Sequence, residues 1–385
     1  MKVIIIICTY NEAESSMKMI PALSEILPTI KNHKIEVLYV DDSSPDGTAE
    51  VVKKFQEDYP WIHLLPNGKK RGLGDAYSRG MRYAMKNLGA DYLMEFDGDF
   101  QHPPKDIPKL VEQIDHGFDY ILASRYVKGG SIPKEWTIDR KAISFFGNLV
   151  ARIGLLIPQI HDCTGGFKLS RVKGFMDEFD FNTLYSRKFA YKIHLLAYMV
   201  VTKGAKVKEV PFHFASRTAG ISKYMTNEII ESLKVIFLFQ LHNPKILRFL
   251  KFGTVGFIGY LFNAFGLKWF TDLTFPGWMA WGLSTEIAII SNFTLNNFWT
   301  FSDQKIKGVI SIISKFLQFN FTSAGALLIQ VALGSVSDYL FGSQYRQLAL
   351  PVIILFFVLP YNYLMYTLVI WKKTKTLPSS ESALR

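Results

Sequence analysis

Cysteine is scarce in this chain: Cys8 and Cys163 are the only two in 385 residues. A disulfide framework is therefore excluded, and a reducing compartment fits. Histidine and cysteine nowhere gather at zinc-ligand spacing. No helix-turn-helix signature or arginine-rich arm accompanies the net charge of +11, so nucleic acid is a poor partner. Anionic lipid headgroups account for the basic excess more economically. The opening run MKVIIIICTYNE turns polar at once and offers no small-residue cleavage site, so it is expected to be a strand and not a signal peptide, which leaves the leading domain in the cytosol. Charge of either sign also becomes rare beyond about residue 245.

What replaces charge there is hydrophobic length. Phe252 to Phe270, Trp278 to Trp299, Phe316 to Leu340 and Leu348 to Trp371 each approach the roughly 20 helical residues needed to cross about 30 Å of hydrocarbon. Four membrane spans are expected. Lys245, Arg248 and Lys251 precede the first, Lys305, Lys307 and Lys315 separate the second from the third, and Lys372, Lys373 and Lys375 follow the fourth. The positive-inside rule then puts both termini in the cytoplasm, in a multi-pass protein of the cell membrane. Gly253, Gly256 and Gly259 permit close helix contact, and Asn292, Asn296 and Asn297 can hydrogen-bond between helices. Glu286, a carboxylate inside a span, marks either a functional position or a pair with Lys268 or a neighbouring helix.

The first half reads as alternating strands and helices. Val3–Ile7, Ile35–Val40, Ile62–Leu65 and Tyr92–Phe96 are short apolar runs of the kind buried on both faces of a parallel sheet. Helices are expected from about Ala13 to Lys31 or His33, over Thr48–Tyr59, and after the glycines at 72, 74 and 80. That order implies right-handed crossovers and a doubly wound sheet, with its acidic strand ends on one edge. Lys69 to Gly74 is basic and glycine-rich, but fits neither the Walker spacing nor a dinucleotide fingerprint, which argues against a kinase or a nicotinamide dehydrogenase.

The acidic strand ends carry the chemistry. Asp41 and Asp42 follow the second strand. Asp97 and Asp99 follow the fourth, in DGDFQHPP, where Pro103 and Pro104 stop any regular continuation. Spaced D-x-D, two carboxylates can hold a hard dication against a diphosphate, with the Gln101 amide as a further oxygen. Softer metals lack ligands here. Ile138–Ile160 places apolar residues at helical spacing beside Arg140, Lys141 and Arg152, and Glu228–Leu241 is similar. Both suit helices lying in the headgroup plane or ordinary amphipathic core helices.

The segments CTYNE (8–12), VDDSSPDGT (40–48), RGLGDAYSRG (71–80), DGDFQHPP (97–104), SRYVKGG (124–130), TGGF (164–167) and SRTAGISK (216–223), in this order, resemble the family-2 inverting glycosyltransferases. Within them the chain is most similar to the dolichyl- and polyprenyl-phosphate mannose or glucose synthases, over roughly residues 1–240, and the spans resemble the GtrA-like membrane domain. The resemblance implies a GT-A (Rossmann-like) α/β domain over 1–224. An interfacial helix and linker over 225–246 would lead to an all-α four-span domain over 247–371 and a cytoplasmic tail over 372–385.

It also implies roles. Cys8, Tyr10, Glu12, Val40 and Asp42, with Asp97 and Gly98, match positions around the nucleoside. Asp97, Asp99 and Gln101 match ligands of Mg²⁺ or Mn²⁺. Arg125, Arg217 and Lys223 match basic residues around the donor diphosphate, and Arg140 and Ser144 match the acceptor-phosphate position. Cys8 stands where the family usually has proline, and Gly98 where alanine is common. The implied reaction moves one hexose, mannose from GDP-mannose in preference to glucose from UDP-glucose, onto a polyprenyl (dolichyl) phosphate at the cytoplasmic membrane face. The acceptor is already anionic, its second pKa being about 6, so no general base is required. Two other readings stand beside this one: a translocator of lipid-linked sugar with a non-catalytic binding module, and a processive polysaccharide synthase, which lacks its Q-x-x-R-W segment here. Oligomeric state is unread, and a homo-oligomer is compatible with the sequence.

Overall fold

The computed structural model describes residues 1–66, 68, 71–215, 226–342, 349 and 352–371. The chain forms two compact units, Met1–Leu241 and His242–Arg385.

The first unit is built on β1 (Lys2–Thr9), β2 (Lys34–Asp41), β3 (Ile62–Pro66), β4 (Tyr92–Glu95), β5 (Tyr120–Ser124), β6 (Lys168–Arg171) and β7 (Val207–Pro211). They lie in one sheet in the order β3-β2-β1-β4-β6-β5-β7. Val3 to Ile7 are each fully buried. Alternate side chains point to opposite faces, and both faces are covered: Ile4 and Ile6 join one core, and Val3, Ile5 and Ile7 the other. Each such isoleucine contributes about 1.5–3 kcal/mol relative to exposure.

The strands read from apolar runs are all present, but the sheet is mixed and not simply doubly wound. β6 runs antiparallel between β4 and β5, while every other pairing is parallel. The reason lies in β6 itself, KLSR. Its polar composition hides a strand whose backbone closes the gap between two parallel neighbours. With β2 on one side of β1 and β4 on the other, the strand order reverses at β1, which opens a crevice beyond the carboxyl ends of these strands.

The helices α1 (Ala13–Ile26), α2 (Thr48–Asp58), α3 (Leu73–Asn87), α4 (Ile107–Asp115), α5 (Ile138–Gly154), α6 (Tyr191–Ala197) and α7 (Thr226–His242) complete this unit. α1 ends earlier than its pattern suggests because Pro28 lies in a 3₁₀ turn over Leu27–Thr29. α7 sets Val235, Ile236 and Phe239 into one core. It crosses α5 where Gly154 has no Cβ to oppose Ile236, and Gln240 Nε2 donates to the Gly154 carbonyl. Ile138, Phe146 and Ile153 of α5, and Ile230 and Phe237 of α7, remain exposed.

The second unit is helical: α8 (Pro244–Asp272), α9 (Gly277–Leu295), α10 (Val309–Phe341) and α11 (Ile354–Ile370). Among the described residues, Pro244–Phe270 alone is long and apolar enough to cross a membrane by length and composition, and α11 is a shorter apolar helix. A built Cβ on Gly259 would collide with the Asn292 amide, so the close contact expected from this glycine is with a polar neighbour on α9. Asn297 accepts from Trp371 Nε1 at 3.1 Å and from the Ile306 N–H at 2.8 Å, which fixes the end of α11 against the turn after α9. Among the described residues no ion pair joins Glu286 to Lys268, and Glu286 is exposed.

Candidate active site

Parallel register sets the site. Cys8 pairs with Val40 and Thr9 with Asp41 across β1 and β2, while Ile6 pairs with Glu95 across β1 and β4. β1 and β2 therefore end level with each other, while β4 stops three residues earlier, opposite Ile6, and its D-x-D loop runs on beside the end of β1. Asp41 is consumed structurally: it accepts from Thr9 Oγ1 at 3.1 Å and from the Ser44 N–H at 2.9 Å. Asp46 accepts the Ala13 N–H at 3.0 Å, and Thr48 Oγ1 accepts the Glu12 N–H at 3.1 Å, so the loop after β2 satisfies the start of α1. Asn11 and Ser43 adopt positive φ, 60° and 58°, where the two loops turn. Glu12 is oriented by the Ser15 hydroxyl at 2.7 Å, and Tyr10 is 39% exposed beside it.

Cys8 lies between the acidic ends. Burial chiefly, then the charges of Asp42, Asp97 and Glu95, push its thiol well above the usual cysteine range. A protonated, small side chain thus separates Asp42, which is buried, from Asp97. Gly98 follows with a built Cβ 3.0 Å from Ile7 Cγ2, so the loop runs close over β1.

The D-x-D loop is held from several directions. The Asp97 N–H donates to His102 Nδ1 at 3.0 Å, and the Gln101 N–H donates to Asp99 Oδ1 at 3.1 Å. Tyr77 donates to the Phe96 carbonyl at 3.2 Å and to Asp97 Oδ1 at 3.3 Å. Burial first, then Asp97, raises the Tyr77 hydroxyl well above its ordinary range, so it stays a donor. Phe100 turns the loop at φ 63°. His102 is 1% exposed, stacked on Phe167 at 5.2 Å and ringed by Phe96, Phe212 and Phe214. Burial lowers its pKa. Since Nδ1 accepts, the proton of the neutral ring lies on Nε2, which faces Asp97 Oδ2 at 3.5 Å.

Two carboxylates and one amide, all oxygen donors, fit a hard divalent ion. Among the described residues no group of three His, Cys, Asp or Glu side chains can enclose one. Further oxygens, from water or a diphosphate, must complete the shell.

Arg125, at the end of β5, is bound inward. Its Nε and Nη2 each reach Asp162 at 2.7 Å, Nη2 also reaches Thr164 Oγ1 at 2.9 Å, and the side chain is 8% exposed. Burial alone would raise the Asp162 carboxyl, and the Arg125 charge overcomes it and holds it below its ordinary range. Arg140 lies 4.1 Å above the Trp136 ring, and Ser144, one turn further along α5, meets Tyr126 Oη at 2.6 Å. Trp136 contacts Phe214 at 5.7 Å, and the Arg125 guanidinium lies 5.4 Å from the same ring. Asn148 of α5 accepts the Cys163 N–H at 2.7 Å. A run of contacts therefore links Arg140 to the aromatic box beneath Asp97. Arg217 and Lys223 lie outside the described residues.

Sequence reasoning reads His102 as structural and not catalytic, and passes over Asp162, Trp136, Tyr126 and Gly166. A built Cβ on Gly166 would collide with Lys192 Nζ and come within 3.2 Å of Asp97 Oδ2. The acid of Asp162 in an otherwise uncharged stretch before TGGF was the one available signal.

The profile described as Glycosyl transferase family 2 matches residues 4–179, and that described as GtrA/DPMS, transmembrane domain, matches residues 251–371. The dolichol-phosphate mannosyltransferase of Pyrococcus furiosus is 36% identical over 330 residues, covering 86% of this chain and 88% of that protein. The polyprenol monophosphomannose synthase of Mycolicibacterium smegmatis is 31% identical over 60% of this chain and 84% of its own length. For the undecaprenyl-phosphate mannosyltransferase of Micrococcus luteus the figures are 34%, 58% and 87%. The chain belongs to glycosyl transferase family 2 and is a hexosyltransferase whose catalytic unit is followed by a GtrA/DPMS transmembrane domain.

Proposed function

We propose that this enzyme transfers one mannose from GDP-mannose to the phosphate of a polyprenyl phosphate, with inversion at the sugar carbon. The observation that carries the reading is the convergence of Asp42, Asp97 and Asp99 just beyond the ends of β2 and β4, on either side of β1, the latter two in a loop fixed by His102. Named mannosyltransferases of polyprenyl phosphates among its relatives support the substrate pair.

Departure of a nucleoside diphosphate builds charge on the leaving oxygens and oxocarbenium character on the sugar. Mg²⁺ or Mn²⁺, held by Asp97, Asp99 and Gln101, would supply electrostatic stabilisation of that leaving diphosphate. The chain's own residues do the positioning. Tyr77 and His102 aim Asp97, while Tyr10, Glu12 and Asp42 line the nucleoside end. Arg140 and Ser144 are placed on one face of α5 to take the acceptor phosphate, whose own oxygen attacks without a general base. Arg125 supports this wall through Asp162, and Arg217 and Lys223 are assigned to the diphosphate on sequence.

The exposed apolar side chains of α5 and α7 support a seat in the headgroup plane. Four spans over α8–α11, with both termini cytoplasmic, would keep the polyprenyl tail in lipid while its phosphate reaches the site. The test is a two-donor assay in membranes. Labelled GDP-mannose should label polyprenyl phosphate in a metal-dependent way and UDP-glucose should not; preference for UDP-glucose would transfer the reading to a glucosyltransferase, and binding without turnover would favour a translocator module.

A further inference from the structure

Behind the D-x-D loop, β4, β6 and α6 bury three charged side chains together: Glu95 at 1%, Lys168 at 2% and Lys192 at 1% exposure. Glu95 is already matched. Lys168 Nζ lies 3.5 Å from its Oε1, the Tyr191 hydroxyl donates to its Oε2 at 2.5 Å, and Lys168 also donates to the Lys192 carbonyl at 3.3 Å. Lys192 is the surplus cation. Among the described residues its Nζ makes no ion pair or hydrogen bond; it lies 4.6 Å from the Phe189 ring and close against Gly166. Burying an ammonium without an anion is strongly unfavourable, so its position calls for an anion nearby.

Its direction is given by Gly166. The space a Cβ would fill there is bounded by Lys192 Nζ, by Asp97 Oδ2 at 3.2 Å and by His102 Cε1 at 3.3 Å.

We propose that Lys192 is a positioning residue for the donor diphosphate, its buried ammonium offsetting Asp97 so that the D-x-D loop takes a divalent cation weakly alone and firmly only together with a diphosphate. The proposal rests on the reading of Asp97 and Asp99 as metal ligands. At the loop itself, two carboxylates facing a dication and a resident ammonium sum to one positive charge, which Asp42, on the far side of Cys8, offsets only from a distance. A diphosphate brings the missing negative charge, so metal and donor bind as a unit and a stray ion is not trapped in the empty enzyme.

The test is Mn²⁺ binding to the full-length protein in detergent, followed by the electron paramagnetic signal of the free ion, with and without GDP. Lys192→Met keeps the apolar stem and removes the charge. It should tighten Mn²⁺ binding in the absence of nucleotide by about ten-fold, even with solvent-like screening at this range, and shrink the gain produced by GDP. Lys192→Gln should do the same, and Lys192→Arg should behave as wild type. Unchanged Mn²⁺ affinity in both neutral variants, with an unaltered melting curve, overturns the role of Lys192. Asp99→Ala separates the two layers: it should lose Mn²⁺, and if it binds Mn²⁺ as wild type does, the ligand assignment fails and the proposal with it.

Discussion

The backbone N–H of Asp97 donates to Nδ1 of His102 at 3.0 Å, and that bond fixes both partners. It orients the first carboxylate of the D-x-D loop, and it settles the histidine as a neutral ring protonated on Nε2. His102→Phe keeps the aromatic stacking and removes both the Nδ1 acceptor and the Nε2–H that faces Asp97 Oδ2. The Asp97 N–H is then left unsatisfied, at a cost of about 1–3 kcal/mol. The expected outcome is a folded enzyme whose turnover falls at least about 100-fold, since small misplacements at a reacting centre are costly; steady-state kinetics beside a thermal melt decide it.

The same residue sets a pH dependence. Burial depresses the His102 pKa below its ordinary 6.5. As pH falls, the unfolded chain takes up this proton before the native one does. Stability from this group is therefore complete above about pH 6.5 and declines as pH drops toward the depressed native value. Melting temperatures from pH 8 to pH 5 should show this decline in wild type and a shallower one in His102→Phe.

Gly166→Ala tests the tightness of the floor. The new Cβ would meet Lys192 Nζ and sit 3.2 Å from Asp97 Oδ2. Overpacking of this kind costs about 1–3 kcal/mol. Donor affinity measured by nucleotide titration should fall while acceptor KM changes little.

Arg125 is expected to act through stability before catalysis. Its bidentate pair with Asp162 is almost wholly buried. Removing one partner of such a pair costs about 3–5 kcal/mol. Arg125→Ala and Asp162→Ala should lower the melting temperature by similar amounts, and the double variant should be much better than additive. A melt unchanged in Arg125→Ala with donor binding lost would return the guanidinium to direct diphosphate contact.

These two pairs also show what the sequence could and could not disclose. The strands β1 to β4 were legible because each is an unbroken apolar run buried on two faces, and their acidic ends could be read directly. β6 was not, since KLSR looks like surface and its Lys168 is buried only because Glu95 lies across the strand pair. Arg125 is matched to the donor diphosphate by resemblance, and its pairing with Asp162 was not legible because the two lie 37 residues apart. Lys192 gave no signal at all: a lysine among apolar neighbours on a short helix has the pattern of a solvated edge. Arg217 and Lys223 lie outside the described residues, and their part in the site is read from sequence alone.

Arg140 separates acceptor from donor. Its guanidinium is stacked on Trp136 at 4.1 Å and shares a helix face with Ser144. Arg140→Ala should raise KM for polyprenyl phosphate by about ten-fold or more, the scale of one charge-assisted bond of about 1.5–3 kcal/mol, with little change in nucleotide affinity. Arg140→Lys should restore only part, because a point charge neither stacks nor forks.

Transfer of radiolabelled mannose from GDP-mannose to polyprenyl phosphate, compared between wild type and Asp99→Ala at saturating Mn²⁺, bears most directly on the whole account. The account predicts loss of label by at least about 1,000-fold in a variant that still folds, the scale of removing a preorganised electrostatic stabiliser. Asp99→Ala that transfers mannose at near wild-type rate, still in proportion to added metal, would contradict it.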